Sequence, residues 1–278
     1  MNRYYGYKME HFIMSEPQPD NQLATKTIET RLNQWHELRE TLIKLGHRVT
    51  EITPTTYAKD FHLTAKHAMI LDGKAMLGHN NALAYQSAPY FAAAAQVEQA
   101  LSHIAIAQNH LHPDHKSPLA FGGSTDTLFI NDSILMNYGV NTAIEMANRI
   151  SSMTGKKVID LSLRKKESCL MDAILSVNEG QLICDLDLIE TNSLSYLTEV
   201  YEIIGCKDDP KKKPTHTLMT STGAIVPENC YETQEQLSEL GYDVHTIAFD
   251  TFQNIGYGPR AMTLCNAHSR TESKAYSA

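Results

Sequence analysis

The chain has 278 residues, of which 42% are hydrophobic and 20% are charged, with a formal net charge of -8. These values are ordinary for a globular protein with a core. The acidic balance argues against a nucleic-acid partner, which would need clustered lysine and arginine. The one basic run, Lys211–Lys213, is typical of a solvated loop. No apolar stretch approaches the roughly 18 residues of a membrane span, so no membrane partner is expected.

The five cysteines are scattered along the chain and form no Cys-x-x-Cys pair. An odd, dispersed set is typical of reduced thiols, which predicts a cytoplasmic location. The first residues lack the apolar run of a signal peptide. The residues after His268 are polar and are expected to fray. The organisation predicted is a single domain over residues 1–268, followed by a polar tail over 269–278.

A helix followed by a glycine and a strand occurs three times along the chain. The first copy has apolar residues at helical spacing, at Trp35, Leu38, Leu42 and Leu45. Each predicted helix is followed by a glycine that can adopt a left-handed cap, at Gly46, Gly155 and Gly241. Strands are then predicted over residues 49–52, 158–161 and 244–247.

Pairs of strands about short turns lie between these joints. They are predicted over residues 68–77, 126–136, 173–184 and 217–226, the first about the Asp72-Gly73 turn. An alanine-rich helical stretch is expected within 85–116. The repeated unit is strand–turn–strand–helix–strand, and it occurs about five times. Such repetition predicts an α/β fold of propeller type, with the units arranged around a central cavity.

Five strings of residues resemble, in the same order, those of the pentein superfamily of guanidino-modifying enzymes, which includes arginine deiminase, dimethylarginine dimethylaminohydrolase and amidinotransferase. The first and second of them are His11–Met14 with the helix that ends at Gly46, and Lys59–Lys66, which is similar to Pro-Asp-x-Val-Phe-Thr-Ala-Asn. The third and fourth are Phe121–Asp126, similar to Phe-Glu-Gly-Gly-x-Asp, and Ser168–Asp172, similar to Tyr-His-Leu-Asp. The fifth is Gly256–Leu264, similar to Gly-Gly-Gly-Pro-Arg-Cys-Met-Ser/Thr-Leu.

The resemblance implies a pentein fold over nearly the whole chain and a site for a guanidino group. In that family a cysteine thiolate attacks the guanidinium carbon, a histidine moves protons, and carboxylates bind the cation. This chain departs from that set. The nucleophile position holds Ala261, the histidine position holds Cys169, and the glutamate is replaced by Gly122 or Gly123, depending on the register. The residues that the resemblance implies for ligand binding are the carboxylates of Asp60, Asp126 and Asp172.

Three explanations of these departures stay open at this point. Ala261 is an engineered replacement of a cysteine, or the nucleophile has moved, or the protein is a pseudoenzyme that keeps an acidic pocket. A moved nucleophile would be Cys169, which is expected to face the cavity, or Cys265. If residues 261–265 form a strand, Ala261 and Cys265 share a face but lie about 13 Å apart.

The hypothesis that follows is a non-standard or inactive pentein that binds a small cationic or guanidino ligand. It would act as a regulatory or interaction protein, with a protein partner or as a homodimer. The alternative is an active C–N hydrolase or amidinotransferase on an arginine-like substrate that uses Cys169 or another non-standard group. A third possibility is a purely structural module that binds a protein partner. No cofactor and no metal are predicted, since His103, His110, His112 and His115 lack the i, i+4 spacing of a helical metal motif.

Overall fold

The structure is a computed structural model, and it describes residues 9–19, 24–53, 60–78, 96–102 and 119–265. The strands are β1 (His11–Ser15), β2 (Arg48–Ile52), β3 (Ala68–Leu71), β4 (Lys74–Leu77), β5 (Thr127–Ile130), β6 (Ser133–Asn137), β7 (Lys157–Leu161), β8 (Ile174–Ser176), β9 (Gln181–Cys184), β10 (Glu202–Gly205), β11 (Leu218–Met219), β12 (Ala224–Pro227), β13 (Val244–Ile247) and β14 (Leu264–Cys265). The helices are α1 (Thr25–Lys44), α2 (Met146–Thr154), α3 (Leu170–Ala173), α4 (Thr191–Val200), α5 (Tyr231–Glu239) and α6 (Asp250–Gln253). Residues 96–102 are also helical.

The strands form five small sheets, and four of them share one pattern. In each of those four, the central strand pairs antiparallel with one neighbour and parallel with the other, in the orders β14-β1-β2, β5-β6-β7, β8-β9-β10 and β11-β12-β13. The fifth sheet is the β3-β4 hairpin. Pairing of β14 with β1 places Cys265 opposite Phe12 and brings the two ends of the described chain into one sheet.

The predicted hairpins and glycine caps are confirmed. All four hairpins are present with antiparallel pairing, and the tight turn at Asp72-Gly73 joins β3 to β4. The three cap glycines have positive φ values of 85° at Gly46, 71° at Gly155 and 85° at Gly241. A left-handed residue at this point ends a helix, because its backbone can no longer continue the i to i-4 hydrogen bonds. The helix-to-strand joints therefore lie where the glycines predict them.

Two local expectations are wrong. Residues 261–265 are not one strand, because Pro259–Met262 form a 3-10 turn and only Leu264–Cys265 are extended. Pro259 at the first position of that turn fixes φ and favours the helical backbone. The basic run is not wholly a solvated loop, because Lys213 faces a cavity. The pair α4–β10 was not predicted, since its helix passes directly into the extended Tyr201 without a glycine cap.

Among the described residues, the core consists of five clusters of buried apolar side chains, and several of them combine residues from more than one sheet. The face of α1 predicted from spacing is buried at Trp35, Leu38 and Leu42, in one cluster with Phe249 and Phe252. The apolar face of α2 packs in the same way on β6. Burial of side chains of this size stabilises the fold by about 2–3 kcal/mol each. These packed units hold the ends of the strands, from which the loops of the site project.

The predicted alanine-rich helix over 85–116 lies mostly outside the described residues, and so do the clustered histidines and the tail over 269–278. Within the described residues, no helix combines the length and the apolar character needed to cross a membrane.

Candidate functional site

A cavity of about 290 Å³ lies where loops and short turns from several sheets meet. Its wall includes the carboxylates of Asp60, Glu167 and Asp172 and the ammonium groups of Lys66 and Lys213. These residues come from sequence segments that lie far apart, and the fold brings them together. The structure therefore contains a cavity lined by these segments, while the arrangement of the repeated units around it as a propeller stays a prediction.

Ala261 lies in the wall of this cavity, in the turn Pro259–Met262. Ala261 is buried, and its backbone N–H donates to the carbonyl oxygen of Gly258 at 3.1 Å. A methyl side chain has neither a lone pair nor a proton to exchange. The position that the resemblance assigns to the nucleophile thus contributes only apolar surface.

Cys169 also lies in the cavity wall, where it begins α3, and its side chain is tied to Asp172. The backbone N–H of Cys169 donates to Oδ2 of Asp172 at 3.0 Å, and its thiol donates to the same oxygen at 3.2 Å. Burial raises the pKa of the Cys169 thiol well above its ordinary value, and the charges of Asp172 and Asp126 raise it further. Cys169 is consequently a neutral thiol, which is a poor nucleophile.

Asp172 is the centre of the polar network in the wall. Its Oδ1 accepts from Nζ of Lys213 at 2.8 Å and from Nε2 of His216 at 2.9 Å, while Oδ2 accepts both bonds from Cys169. Burial alone would raise the pKa of Asp172. The hydrogen bond from His216, together with the charge and hydrogen bond of Lys213, outweighs burial and holds that pKa far below its usual value. Asp172 is thus an ionised carboxylate with four protein donors, and it acts as a support for the wall.

His216 joins this network to the segment that carries Ala261. Its Nε2 donates to Asp172, and its Nδ1 accepts from the backbone N–H of Gly258 at 3.2 Å. This pair of bonds requires the neutral tautomer with its proton on Nε2. Burial lowers the pKa of His216, and this effect outweighs that of Asp172, which raises it. Because both ring nitrogens have protein partners, His216 helps to position the wall. Its one ring proton stays on Nε2, in the hydrogen bond to Asp172.

Neither His216 nor Lys213 was predicted as a residue of the site. Lys213 has a left-handed backbone, with φ of 56°, between the 3-10 turns Pro210–Lys212 and Pro214–His216. This conformation is uncommon for a residue with a side chain. The flanking prolines are the one local signal of two successive turns, and the contact with Asp172 spans more than 40 residues in sequence.

Asp126 lies behind the cavity wall. It is fully buried and does not line the cavity. Its oxygens accept from Oγ1 of Thr142 at 2.7 Å, from Nδ2 of Asn137 at 3.3 Å and from the backbone N–H of Leu170 at 3.2 Å. Burial raises the pKa of Asp126, and this effect outweighs the hydrogen bonds, which lower it. The role of Asp126 as a ligand contact stays a prediction, while its bonds join the loop before β5 to the start of α3.

Asp60, unlike Asp126, is part of the cavity wall. It lines the cavity and has a left-handed backbone with φ of 63°, and its carbonyl oxygen accepts from the backbone N–H of Leu63 at 3.0 Å. Asp60 and Asp172 thus line the same cavity as Cys169. Among the described residues, no group of three or more histidine, cysteine or acidic side chains is arranged to hold a metal ion.

Acidification is expected to destabilise the fold, because burial lowers the pKa of His67 to about 4 and that of His62 to about 3. Each is neutral in the folded protein, whereas the unfolded chain takes up a proton near pH 6.5. The unfolded state binds more protons in this range, so stability falls as the pH drops from about 6.5 towards 4. From His67 alone we expect a loss of about 2 kcal/mol between pH 7.5 and 5.

Urea unfolding at both pH values measures this loss. His67→Gln is expected to reduce the pH dependence, since it removes the titrating group. His36→Gln is the matched control, because His36 is an exposed residue on α1. An equal pH dependence in all three proteins would contradict the assignment to His67.

Comparison of the sequence with protein-family models finds no match, and comparison with curated proteins finds none either. Solved structures do match. The product-bound N-terminal domain of ArgZ, an arginine dihydrolase of the ornithine-ammonia cycle in cyanobacteria, has a TM-score of 0.81 and 17% identity over 94% of this chain and 98% of that domain.

Two further structures give the same result. A cysteine-to-alanine variant of AgrE in complex with L-arginine has a TM-score of 0.81 and 17% identity, over 95% of this chain and 41% of AgrE. A cysteine-to-serine variant of DDAH from Pseudomonas aeruginosa, in complex with citrulline, has a TM-score of 0.77 and 14% identity, over 93% of this chain and 100% of the DDAH chain. The chain therefore has the pentein fold, the mixed α/β fold that the ordered strings of its sequence predict.

Proposed function

We propose that this protein is a pentein without the family's usual chemistry, and that it binds a small cationic or guanidino ligand in the central cavity. The observation that carries the proposal is the pair of residues at the reaction centre. Ala261 lines the cavity where the resemblance implies a nucleophile, and Cys169 is a neutral thiol bonded to Asp172. Neither side chain supplies a thiolate or an imidazole.

The charges of the wall support a ligand that carries positive charge. Three carboxylates, Asp60, Glu167 and Asp172, line the cavity together with two ammonium groups, Lys66 and Lys213. Asp172 and Lys213 form an ion pair at 2.8 Å, so Asp60 and Glu167 are the carboxylates left to face a ligand. A guanidinium offers five N–H donors in a planar fork, which suits carboxylate partners.

The similar structures add a second line of support. ArgZ is described as an arginine dihydrolase, and AgrE and DDAH hold L-arginine and citrulline. A cavity in the same fold is a reasonable location for a molecule of that size. With the reacting groups replaced, the fold would serve as a ligand-binding module that reports a bound molecule to a protein partner or to a second copy of the chain.

Calorimetry and intact-mass measurement after incubation with L-arginine test the proposal. We expect heat of binding, no turnover and an unchanged protein mass. Cys169→Ser is expected to keep binding, because the hydroxyl can donate to Asp172 in place of the thiol. Cys206→Ser is the matched control, since Cys206 is a half-buried thiol that does not line this cavity.

Other outcomes have definite meanings. A covalent adduct on Cys169, or turnover that Cys169→Ser abolishes and Cys206→Ser retains, would favour the active C–N hydrolase instead. Absence of binding by L-arginine and by related guanidines and amines would overturn the proposed ligand class.

A further inference from the structure

The ion pair between Lys213 and Asp172 lies at the surface of the cavity. Nζ of Lys213 is 2.8 Å from Oδ1 of Asp172, and both side chains line the cavity, with exposed fractions of 23% and 15%. Among the four donors described for this carboxylate, Lys213 is the charged one. Cys169 donates from a neutral thiol and a backbone N–H, and His216 is neutral. The protein itself thus supplies the counter-charge of a carboxylate that faces the cavity.

The backbone of Lys213 has an uncommon conformation. Its φ of 56° and ψ of 49° lie in the left-handed region that favours glycine. Pro210 and Pro214 begin the turns on either side of it. Residues in sparsely populated backbone regions persist where the surrounding structure holds them, and they cluster at ligand sites. The conformation of this segment directs the one side chain of Lys213 into the cavity.

Asp172 keeps other bonds that hold it in place without Lys213. Cys169 and His216 bond to its carboxylate, and Oγ1 of Thr215 donates to its backbone carbonyl oxygen at 2.8 Å. A carboxylate oxygen has two lone pairs and can accept two hydrogen bonds. Removal of the Lys213 ammonium group would therefore leave an acceptor position on Oδ1 that a cationic group in the cavity can take.

The described residues of the wall carry one unit of net negative charge. Three carboxylates face two ammonium groups, and the histidines of the wall are neutral. A ligand with one net positive charge balances this wall, with Asp60 and Glu167 as its partners. A second positive charge has access to Asp172 only if it displaces Lys213, and otherwise it lies near a like charge.

We infer that Lys213 is a specificity-determining residue, whose ammonium group occupies the position at Asp172 that a second cationic group of a ligand would take. The cavity then selects ligands with a net charge of one over ligands with a net charge of two. The inference rests on the proposed function and narrows its ligand class. Hydrogen bonds between charged partners are the stronger ones, so the loss of this position weighs heavily against a dication.

Butylguanidine and agmatine are the probes, because they share a guanidinium and a four-carbon chain and differ in the terminal ammonium of agmatine. In calorimetry with the wild type, we expect butylguanidine to bind at least about 3-fold more tightly, since like charges repel in the cavity. Lys213→Met should tighten agmatine by about 10-fold or more, because a hydrogen bond between charged groups contributes about a factor of 10 to 100. It should tighten butylguanidine by about 3-fold or less.

Two variants separate the position of Lys213 from its charge alone. Lys211→Met removes the same charge from an exposed residue of the same segment and should change neither affinity. Lys213→Arg keeps a cation beside Asp172 and should retain the preference for butylguanidine. Thermal unfolding verifies that each variant is folded, and the wild-type comparison stands without any variant.

The remaining outcomes distinguish this inference from the proposed function. Agmatine binding to the wild type as tightly as butylguanidine, or an equal gain of both compounds in Lys213→Met, would overturn the role of Lys213 and leave the proposed cationic ligand in place. Binding of agmatine by Lys213→Met alone would support the role of Lys213 and contradict the ligand proposed for the wild type. Binding of neither compound by any of the proteins would overturn both.

Discussion

Replacement of Asp172 by asparagine is expected to lower the free energy of unfolding by about 2 kcal/mol at neutral pH, less than the loss of a partner in a fully buried ion pair, because Asp172 and Lys213 are partly exposed in the cavity wall. Four donors converge on this carboxylate, two from Cys169 and one each from Lys213 and His216. An asparagine has one acceptor oxygen, and its amide group would face donors. The variant would leave the ammonium group of Lys213 in the wall without its counter-charge.

The pH dependence of this loss gives a second measurement. The pKa of Asp172 in the folded protein lies far below that of the unfolded chain. Its contribution to stability is complete above the unfolded value of about 4 and declines as the pH falls below it. The difference between wild type and Asp172→Asn in urea unfolding should therefore shrink between pH 5 and pH 3. Asp187→Asn is the control, because Asp187 is exposed, and equal losses in both variants would contradict the role assigned to Asp172.

The parts of the fold that the sequence predicts are those with a local physical cause. Gly46, Gly155 and Gly241 end helices because their backbone adopts positive φ, and the Asp72-Gly73 turn joins two strands for the same reason. The buried face of α1 follows from the spacing of its apolar residues. These causes act within a few residues, so a single sequence suffices. The joint from α4 to β10 has no such glycine and was missed.

The site depends on contacts that no local pattern records. Ala261 and Cys169 could be located through strings that resemble those of the pentein superfamily, and both line the cavity. The partners of Asp172 could not be located, because Lys213 and His216 follow it by more than 40 residues and lie in a segment with the composition of a solvated loop. Their inward direction depends on the two successive turns about Pro210 and Pro214.

Introducing the glutamate of the similar pentein string at Gly122 or Gly123 is expected to damage the fold, in either register of the resemblance. A Cβ atom on Gly122 would lie 2.5 Å from Oδ2 of Asp126, a separation that requires the carboxylate to move. On Gly123, which has φ of 61°, it would lie 2.7 Å from the carbonyl oxygen of Ala65. Backbone carbonyls move less readily than side chains. The space for a carboxylate beside this loop is already taken by Asp126.

Gly122→Ala is expected to lower the free energy of unfolding by about 2 kcal/mol, as other overpacked sites do. Gly122→Glu should cost at least about 3 kcal/mol, because it also brings a second carboxylate towards Asp126, whose pKa burial already raises. Urea unfolding measures both. Gly205→Ala is the control, since its Cβ would lie 3.5 Å from Cδ1 of Leu186, an ordinary contact, and a loss there equal to that of Gly122→Ala would contradict the clash.

A double-variant cycle tests whether Gly122 and Asp126 are energetically coupled. If Asp126 blocks the glutamate, Asp126→Ala should remove part of the cost of Gly122→Glu, with a coupling energy of about 1 kcal/mol or more. Additive losses would instead mean that the two positions are independent.

Under the proposed function, Ala261→Cys together with Cys169→His restores a thiol and an imidazole but not the carboxylate. We therefore expect that pair of substitutions to give no turnover of L-arginine, because under this proposal three positions, and not the nucleophile alone, differ from those of an active site.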